Sequence, residues 1–205
     1  MKVGGLRKSY PILSGYSFLL SILLVQSLTT YAQAINNNAT AGIENFGKVN
    51  DNYYRGSQPV ADEFAELKKL GIKTVIDLRE DRLNDSGNLA RAAGLQYINI
   101  PLTTKRAATN NQTEYFLRLV NDQVNWPVFV HCKGGRHRTG EMTAIYRITH
   151  DGWNAEQAYD EMKKYDFEDS FFYPRSLKKF VFSYYQQFAA QRTSKPQSVE
   201  ISPSP

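Results

Sequence analysis

The stretch His131-Cys-Lys-Gly-Gly-Arg-His-Arg-Thr-Gly140 gathers a thiol, three cationic side chains, two imidazoles and three glycines. It follows Pro127-Val-Phe-Val-His131, a short continuous apolar run of the kind that forms a strand buried on both faces of a parallel sheet. It precedes a helical pattern through Met142, Ile145 and Ile148. A loop that leaves a strand and enters a helix presents backbone N–H groups at the positive end of the helix dipole, so an anion is its natural guest. Gly134 and Gly135 let the backbone curl with its amides inward, while Lys133, Arg136, His137 and Arg138 add donors and positive charge. Such a field favours the thiolate, the form in which a cysteine attacks. Cys132 facing a cradled phosphate is therefore an in-line nucleophile. The Arg138 guanidinium can hold two phosphoryl oxygens at once and stabilise the charge that spreads over them, and the Thr139 hydroxyl can donate to the sulfur when it departs.

The elements that must carry this loop alternate along the chain. Asn52–Arg55 reads as a short strand, and Pro59 suits the start of a helix whose apolar positions Phe64, Leu67 and Leu70 recur until Gly71. Thr74–Leu78 reads as a strand, residues 88–93 as a short helical piece, and Leu95–Ile100 as a second alternating strand. A loop over residues 101–111 leads to a helix over roughly residues 113–124. After the thiol-bearing turn, the helix through Ile148 breaks at Asp151-Gly152, and Asn154 caps another with Ala155, Ala158 and Met162 on one face. A last helix opening at Pro174 is expected to bury Leu177, Phe180, Val181, Tyr184 and Phe188. Strands alternating with helices imply an α/β domain with a central, mainly parallel sheet flanked by helices and its ligand site at the carboxyl ends of the strands.

His-Cys-x-x-Gly-x-x-Arg-Thr-Gly, met by His131, Cys132, Gly135, Arg138, Thr139 and Gly140, resembles the signature of the cysteine-based protein tyrosine phosphatases. Tyr54-Arg-Gly-Ser-Gln-Pro59 and Gly71-Ile-Lys-Thr-Val-Ile-Asp-Leu-Arg79 extend the likeness to the compact atypical dual-specificity phosphatases of plants and fungi and their bacterial relatives. The likeness spans about residues 46–188. It implies the protein tyrosine phosphatase fold, no metal and no other cofactor, Cys132 as nucleophile, Arg138 as phosphate clamp, and Lys133, Gly134, Gly135, Arg136, His137 and Thr139 as substrate-binding loop. Tyr54, Arg55 and Asp77–Arg79 read as packing and strand-end hydrogen bonding rather than as chemistry.

In many relatives an aspartate some thirty residues before the cysteine protonates the leaving oxygen. Here the corresponding residues 101–113 contain no carboxylate. The alternatives are Glu80, Asp81, Asp85, Glu114, Asp166, Glu168 and Asp169, together with His137. A phosphoanhydride, with its good leaving group, would need little help from any of them. Lys133, Arg136 and His137, joined by Lys105 and Arg106, supply more positive charge than one phosphomonoester requires, which suits an inositol polyphosphate. A phosphorylated tyrosine, serine or threonine of a protein is the competing substrate. Two other classes stay open: a phosphate-binding module without turnover, and a redox-responsive thiol protein.

Composition sets the outer limits. The 205 residues are 41% apolar and 22% charged, ordinary for one globular domain. The formal charge of +5 includes Lys2, Arg7 and Lys8; without them it is +2, too weak to argue for a nucleic-acid surface. Those three residues, the apolar stretch from Ile12 to Leu28 and the small-residue site Ala32-Gln33-Ala34 read as an export signal over residues 1–34, cleaved after Ala34, rather than a membrane anchor. A periplasmic or secreted location follows, with no stable membrane insertion. A linker over residues 35–45, a phosphatase domain over 46–190 and a disordered tail over 191–205 complete the expected organisation. Cys132 is the sole cysteine, so no disulfide can form within the chain.

Overall fold

A computed structural model describes residues 42–80, 85–168 and 176–194. The expected export signal, Pro174 and residues 195–205 lie outside them. A five-stranded sheet has the order β1-β2-β5-β3-β4, with β1 (Gly47–Asn50), β2 (Tyr53–Gly56), β3 (Thr74–Arg79), β4 (Gln96–Leu102) and β5 (Val128–His131). β1 runs antiparallel to β2, and every other pairing is parallel. The helices are α1 (Ala61–Lys69), α2 (Ser86–Ala92), α3 (Asn110–Asn121), α4 (His137–His150), α5 (Ala155–Lys164) and α6 (Ser176–Ser194).

Local chemistry sets the element ends. α3 begins three residues before its expected start because Thr109 accepts from the Gln112 amide while the Gln112 side chain accepts from the Thr109 amide, a reciprocal cap. It ends at Asn121 because Asp122 caps a separate 3-10 turn over Gln123–Asn125. Asn154 caps α5 as its position suggests, its Oδ1 accepting from the Gln157 amide at 2.8 Å. Gly71 follows α1 at φ +85°, a left-handed conformation that glycine adopts without a Cβ clash.

Two boundaries differ from expectation. Ile43 is buried, and the Glu44 carbonyl accepts from the Ser57 amide at 2.8 Å, so the last residues of the expected linker pack against the domain. α6 continues through Ser194, into the expected tail. Of its expected core positions, Leu177 and Val181 are buried, while Phe180, Tyr184 and Phe188 are half-buried. β1 has no counterpart in the sequence reading.

Both sheet faces are covered. Phe64 and Leu67 of α1 and Ala90 of α2 pack with Val75, Leu95 and Phe129 on one side. Phe116 and Val120 of α3 and Met142 and Tyr146 of α4 pack with Tyr53, Ile76 and Val130 on the other. α5 and α6 then cover the far side of α4 through Ala144, Ile148, Ala158, Met162, Leu177 and Val181. With a neighbour on both sides, α4 is buried nearly all round. Among the described residues no helix is long and apolar enough to cross a membrane.

Register places β5 between β2 and β3 with His131 opposite Gly56 on one side and Asp77 on the other. At this strand end lies a buried ionic cluster. The Arg79 guanidinium donates to Asp77 Oδ2 at 2.6 Å, to Gln58 Oε1 at 2.6 Å and to Ser86 Oγ at 2.9 Å, while the Tyr97 hydroxyl donates to Asp77 Oδ2 at 2.7 Å. Burial alone would raise the Asp77 carboxyl, but Arg79, His131 and Tyr97 together hold it below the usual carboxylate range. Arg79→Met should leave that carboxylate buried without its main partner and destabilise the fold by about 3–5 kcal/mol. Urea unfolding of parent and variant measures this, and a loss under about 1 kcal/mol would mean that the pair is dispensable.

Candidate active site

Residues 132–136 form the turn between β5 and α4, at the carboxyl edge of the sheet. An open cleft of about 420 Å³ lies over it, and Cys132, Lys133, Gly134, Arg136, His137 and Arg138 supply most of its wall. Glu44, Thr104 and Glu168 complete the lining. Six of the eight residues singled out in the sequence thus face one space. Gly135 and Thr139 lie behind it.

Gly135 shows why. Its φ is +68°, and a Cβ there would stand 2.6 Å from the Gly56 carbonyl carbon. The loop therefore rests backbone to backbone on the end of β2, a contact that only glycine permits. The carbonyls of the loop are turned outward and engaged: Lys133 O accepts from the Gln58 amide at 3.2 Å, Gly134 O from Asn45 Nδ2 at 2.9 Å, and Gly135 O from Arg55 Nη2 at 2.6 Å. Across a planar trans peptide the N–H points opposite to the C=O. Holding these three carbonyls outward aims the amides of Gly134, Gly135 and Arg136 the other way, as an anion cradle requires.

Cys132 is 3% exposed and Arg138 8%. Arg138 Nη1 donates to the Leu102 carbonyl at 3.1 Å, which anchors the guanidinium at one corner and leaves its other donors for a ligand. Thr139 is fully buried, and its hydroxyl has no hydrogen-bond partner among the described residues. The expected bond to the sulfur is therefore not formed here, though the hydroxyl is uncommitted. His131 is also fully buried; burial pushes its imidazole down to about 4 against the pull of Asp77, so it is neutral at physiological pH. His137 is lowered too, chiefly by burial and opposed by a hydrogen bond with the Glu168 backbone, while Arg136 and Arg138 add to the lowering.

The possible proton donors separate by position. Glu168 faces the cleft, as does Glu44, which the sequence reading passed over. Asp166 lies outside the lining, with its carboxylate 3.9 Å from Arg136 Nε. Glu80 and Asp85 are exposed beyond β3 and at the start of α2, and Glu114 faces a separate groove beside α6. Asp81 and Asp169 fall outside the described residues. From the loop before α3, Thr104 lines the cleft, whereas Lys105 and Arg106 are exposed outside it. Among the described residues no group of three or more His, Cys, Asp or Glu side chains is placed to hold a metal ion.

Glu141, one helical turn after Arg138, is 1% exposed and accepts from the Ala108 amide at 2.8 Å. α4 thus grips the loop of residues 103–107 at both ends, by Arg138 on Leu102 and by Glu141 on Ala108. Burial pushes the Glu141 carboxyl up to about 7 from 4.5, against the pull of the Ala108 amide. The folded state therefore holds this proton more tightly than the unfolded state, and the contribution of Glu141 to stability falls as pH rises from 4.5 through about 7. Glu141→Gln keeps the acceptor and removes the titration. Denaturant unfolding near pH 8 should find the variant more stable by on the order of 3 kcal/mol, a gap that closes near pH 4. A gap independent of pH would show that ionisation at this site costs nothing.

Known proteins are similar to this chain in sequence and in fold. The dual specificity protein phosphatase TpbA of Pseudomonas aeruginosa is 30% identical over 125 residues, which make up 61% of this chain and 56% of that protein. The chain therefore spans little more than half of that relative's length. The inositol diphosphatase DSP2 of Oryza sativa subsp. japonica is 29% identical over 134 residues, 59% of this chain and 61% of the relative. The crystal structure of P. aeruginosa TpbA in complex with pTyr superposes with a TM-score of 0.61 at 25% identity, covering 74% of this chain and 91% of that one. The catalytic core of the PP-IP phosphatase SIW14 of Saccharomyces cerevisiae superposes equally well, TM-score 0.61 at 21% identity over 75% of this chain and 96% of that one, a likeness of fold. The sheet and its helices are the protein tyrosine phosphatase fold that the signature implied. Residues 28–177 match the family described as DSP-PTPase phosphatase fused to NAD+ kinase, and with most of its length inside that match the chain belongs to this family.

Proposed function

We propose that this protein is a cysteine-dependent phosphatase working through a phosphocysteine intermediate. The observation that carries the reading is the joint placement of Cys132 and Arg138 in the wall of one cleft, over a loop whose carbonyls are tied outward. Cys132 Sγ attacks phosphorus, forming the S–P bond as the bond to the leaving oxygen breaks. The loop amides and the Arg138 guanidinium hold the equatorial oxygens as negative charge spreads over them. Water then attacks phosphorus, inorganic phosphate leaves, and the sulfur departs as thiolate, where the uncommitted Thr139 hydroxyl is available to it.

The leaving oxygen of a phosphomonoester needs a proton. His137, held neutral, suits hydrogen bonding better than proton donation. Glu168 is the stronger candidate, because its backbone is tied to the His137 side chain and the residue lines the cleft. That arrangement suits a phosphorylated protein residue, in keeping with the pTyr complex of TpbA. Lys133, Arg136 and His137 in the same lining favour the second reading, an inositol polyphosphate, in keeping with the inositol diphosphatases among the relatives. The basic start, apolar stretch and Ala32-Gln33-Ala34 site support an exported enzyme that meets its substrate outside the cytosol.

Phosphate release from para-nitrophenyl phosphate, a phosphotyrosine peptide and a series of inositol polyphosphates tests the reading under reducing conditions. Cys132→Ser should lower every rate by roughly 10⁴-fold or more. Arg138→Lys should lower kcat by roughly a hundredfold or more, since an ammonium cannot reproduce the planar fork. Full activity in either variant would refute the assignment. The preferred substrate decides between the two readings. Glu168→Gln should slow phosphotyrosine hydrolysis by about a hundredfold while leaving para-nitrophenyl phosphate, whose leaving group needs little protonation, within about threefold. Equal losses on both would remove Glu168 as proton donor.

A further inference from the structure

Among the described residues, Arg55 stands out as a buried charge with no anionic side chain bonded to it. It lies on β2 beneath the loop, is 0% exposed, and among the described residues makes one hydrogen bond, from Nη2 to the Gly135 carbonyl at 2.6 Å. Its Nε and Nη1 are buried without a hydrogen-bond partner among the described residues. The guanidinium carbon sits 3.8 Å from the centre of the Tyr165 ring, which covers one face of the group. The carboxylate whose field reaches it, Glu161, is already engaged by Arg147 through Nη2 at 2.6 Å and Nε at 3.1 and 3.2 Å. Burial lowers the affinity of Arg55 for its proton, and the groups that oppose this are Tyr53, Tyr165, Glu161 and Cys132. Of these, Cys132 is the one that belongs to the anion site.

A buried cation without an anion costs several kcal/mol, and a hydrogen bond to Gly135 alone does not require one, because a neutral amide could donate it equally well. The cost makes sense where the missing anion is a ligand. We propose that Arg55 is a positioning residue of the phosphate cradle and its buried counter-charge: it holds the Gly135 carbonyl outward from below and places a fixed positive charge behind the loop that a bound tetrahedral oxyanion neutralises. Arg138 grips the anion from the cleft side, while Arg55 acts through the loop backbone without touching it. The inference rests on the cleft being an oxyanion site, but not on turnover, so it can fail while the phosphatase reading stands.

The test is the affinity of the folded protein for tungstate, a non-covalent tetrahedral oxyanion, measured by calorimetry in Arg55→Gln and Arg55→Lys with Tm recorded beside it. Gln keeps a donor for Gly135 and drops the charge; Lys keeps the charge and one donor. The expected result is a tungstate Kd weakened about tenfold in Arg55→Gln, since one unit charge held behind the loop at a partly desolvated site is worth about that much. Arg55→Lys should stay within about threefold of the parent. A merely structural Arg55 would lower Tm in the Gln variant and leave its tungstate Kd at the parental value, which overturns the proposal. Should Arg55→Gln fail to fold, Arg55→Lys decides: retained affinity supports the counter-charge, and a loss of tenfold or more overturns it.

Discussion

The cradle depends on a rule of peptide geometry: backbone amides can converge on an anion only if the carbonyls across the same peptide planes are turned away and satisfied elsewhere. In this protein the turned-away carbonyls of Lys133, Gly134 and Gly135 are taken by Gln58, Asn45 and Arg55. All three donors come from the short segment around β1 and β2, and none comes from the loop itself. The first strands therefore do more than extend the sheet. They hold the loop open from behind, with Gly135 against Gly56 setting how closely the two backbones approach.

Sheet order makes that support possible. Because β5 is inserted between β2 and β3, the turn after His131 emerges beside the ends of both neighbours. On the β2 side it meets backbone and Arg55. On the β3 side lies the Asp77–Arg79 pair, whose third arm reaches Gln58, the residue whose amide holds Lys133 O. The two supports are thus joined: the ionic cluster fixes Gln58, and Gln58 fixes the loop. His131, buried and neutral between them, adds no charge to a site already rich in cations.

The meeting of Cys132, Arg138 and the glycine turn in one cleft was legible in the sequence because they are consecutive: one strand end, one turn and one helix start carry them all, and local spacing records local geometry. The α/β alternation was legible for the same reason. The supports were not. Asn45 is 89 residues from the carbonyl it serves, and falls in the segment of residues 35–45 expected to be a linker. Arg55 read as packing, since nothing in Tyr54-Arg-Gly reveals that the guanidinium is buried without a carboxylate. Glu141 drew no reading from the sequence, since only burial and the Ala108 amide distinguish it from any other helix carboxylate. β1, four residues long, offers too short an alternation to register.

The distribution of charge around the cleft follows from what each wall is attached to. α4 commits its first two turns to holding, with Arg138 on Leu102 and Glu141 on Ala108, so the intervening loop is pinned at both ends and brings only Thr104 to the lining. A loop pinned this way, and without a carboxylate, is suited to shaping the cleft rather than to delivering a proton. The cleft's carboxylates stand elsewhere: Glu168 follows α5, and Glu44 precedes β1. Arg138 is thereby built into the most buried helix of the fold, and Cys132 into the turn that leads to it, where displacement is costly, while the cleft's carboxylates sit on exposed segments at its margin. In such an arrangement the anion cradle is fixed by the core, and the rim carboxylates Glu44 and Glu168 can change without disturbing it.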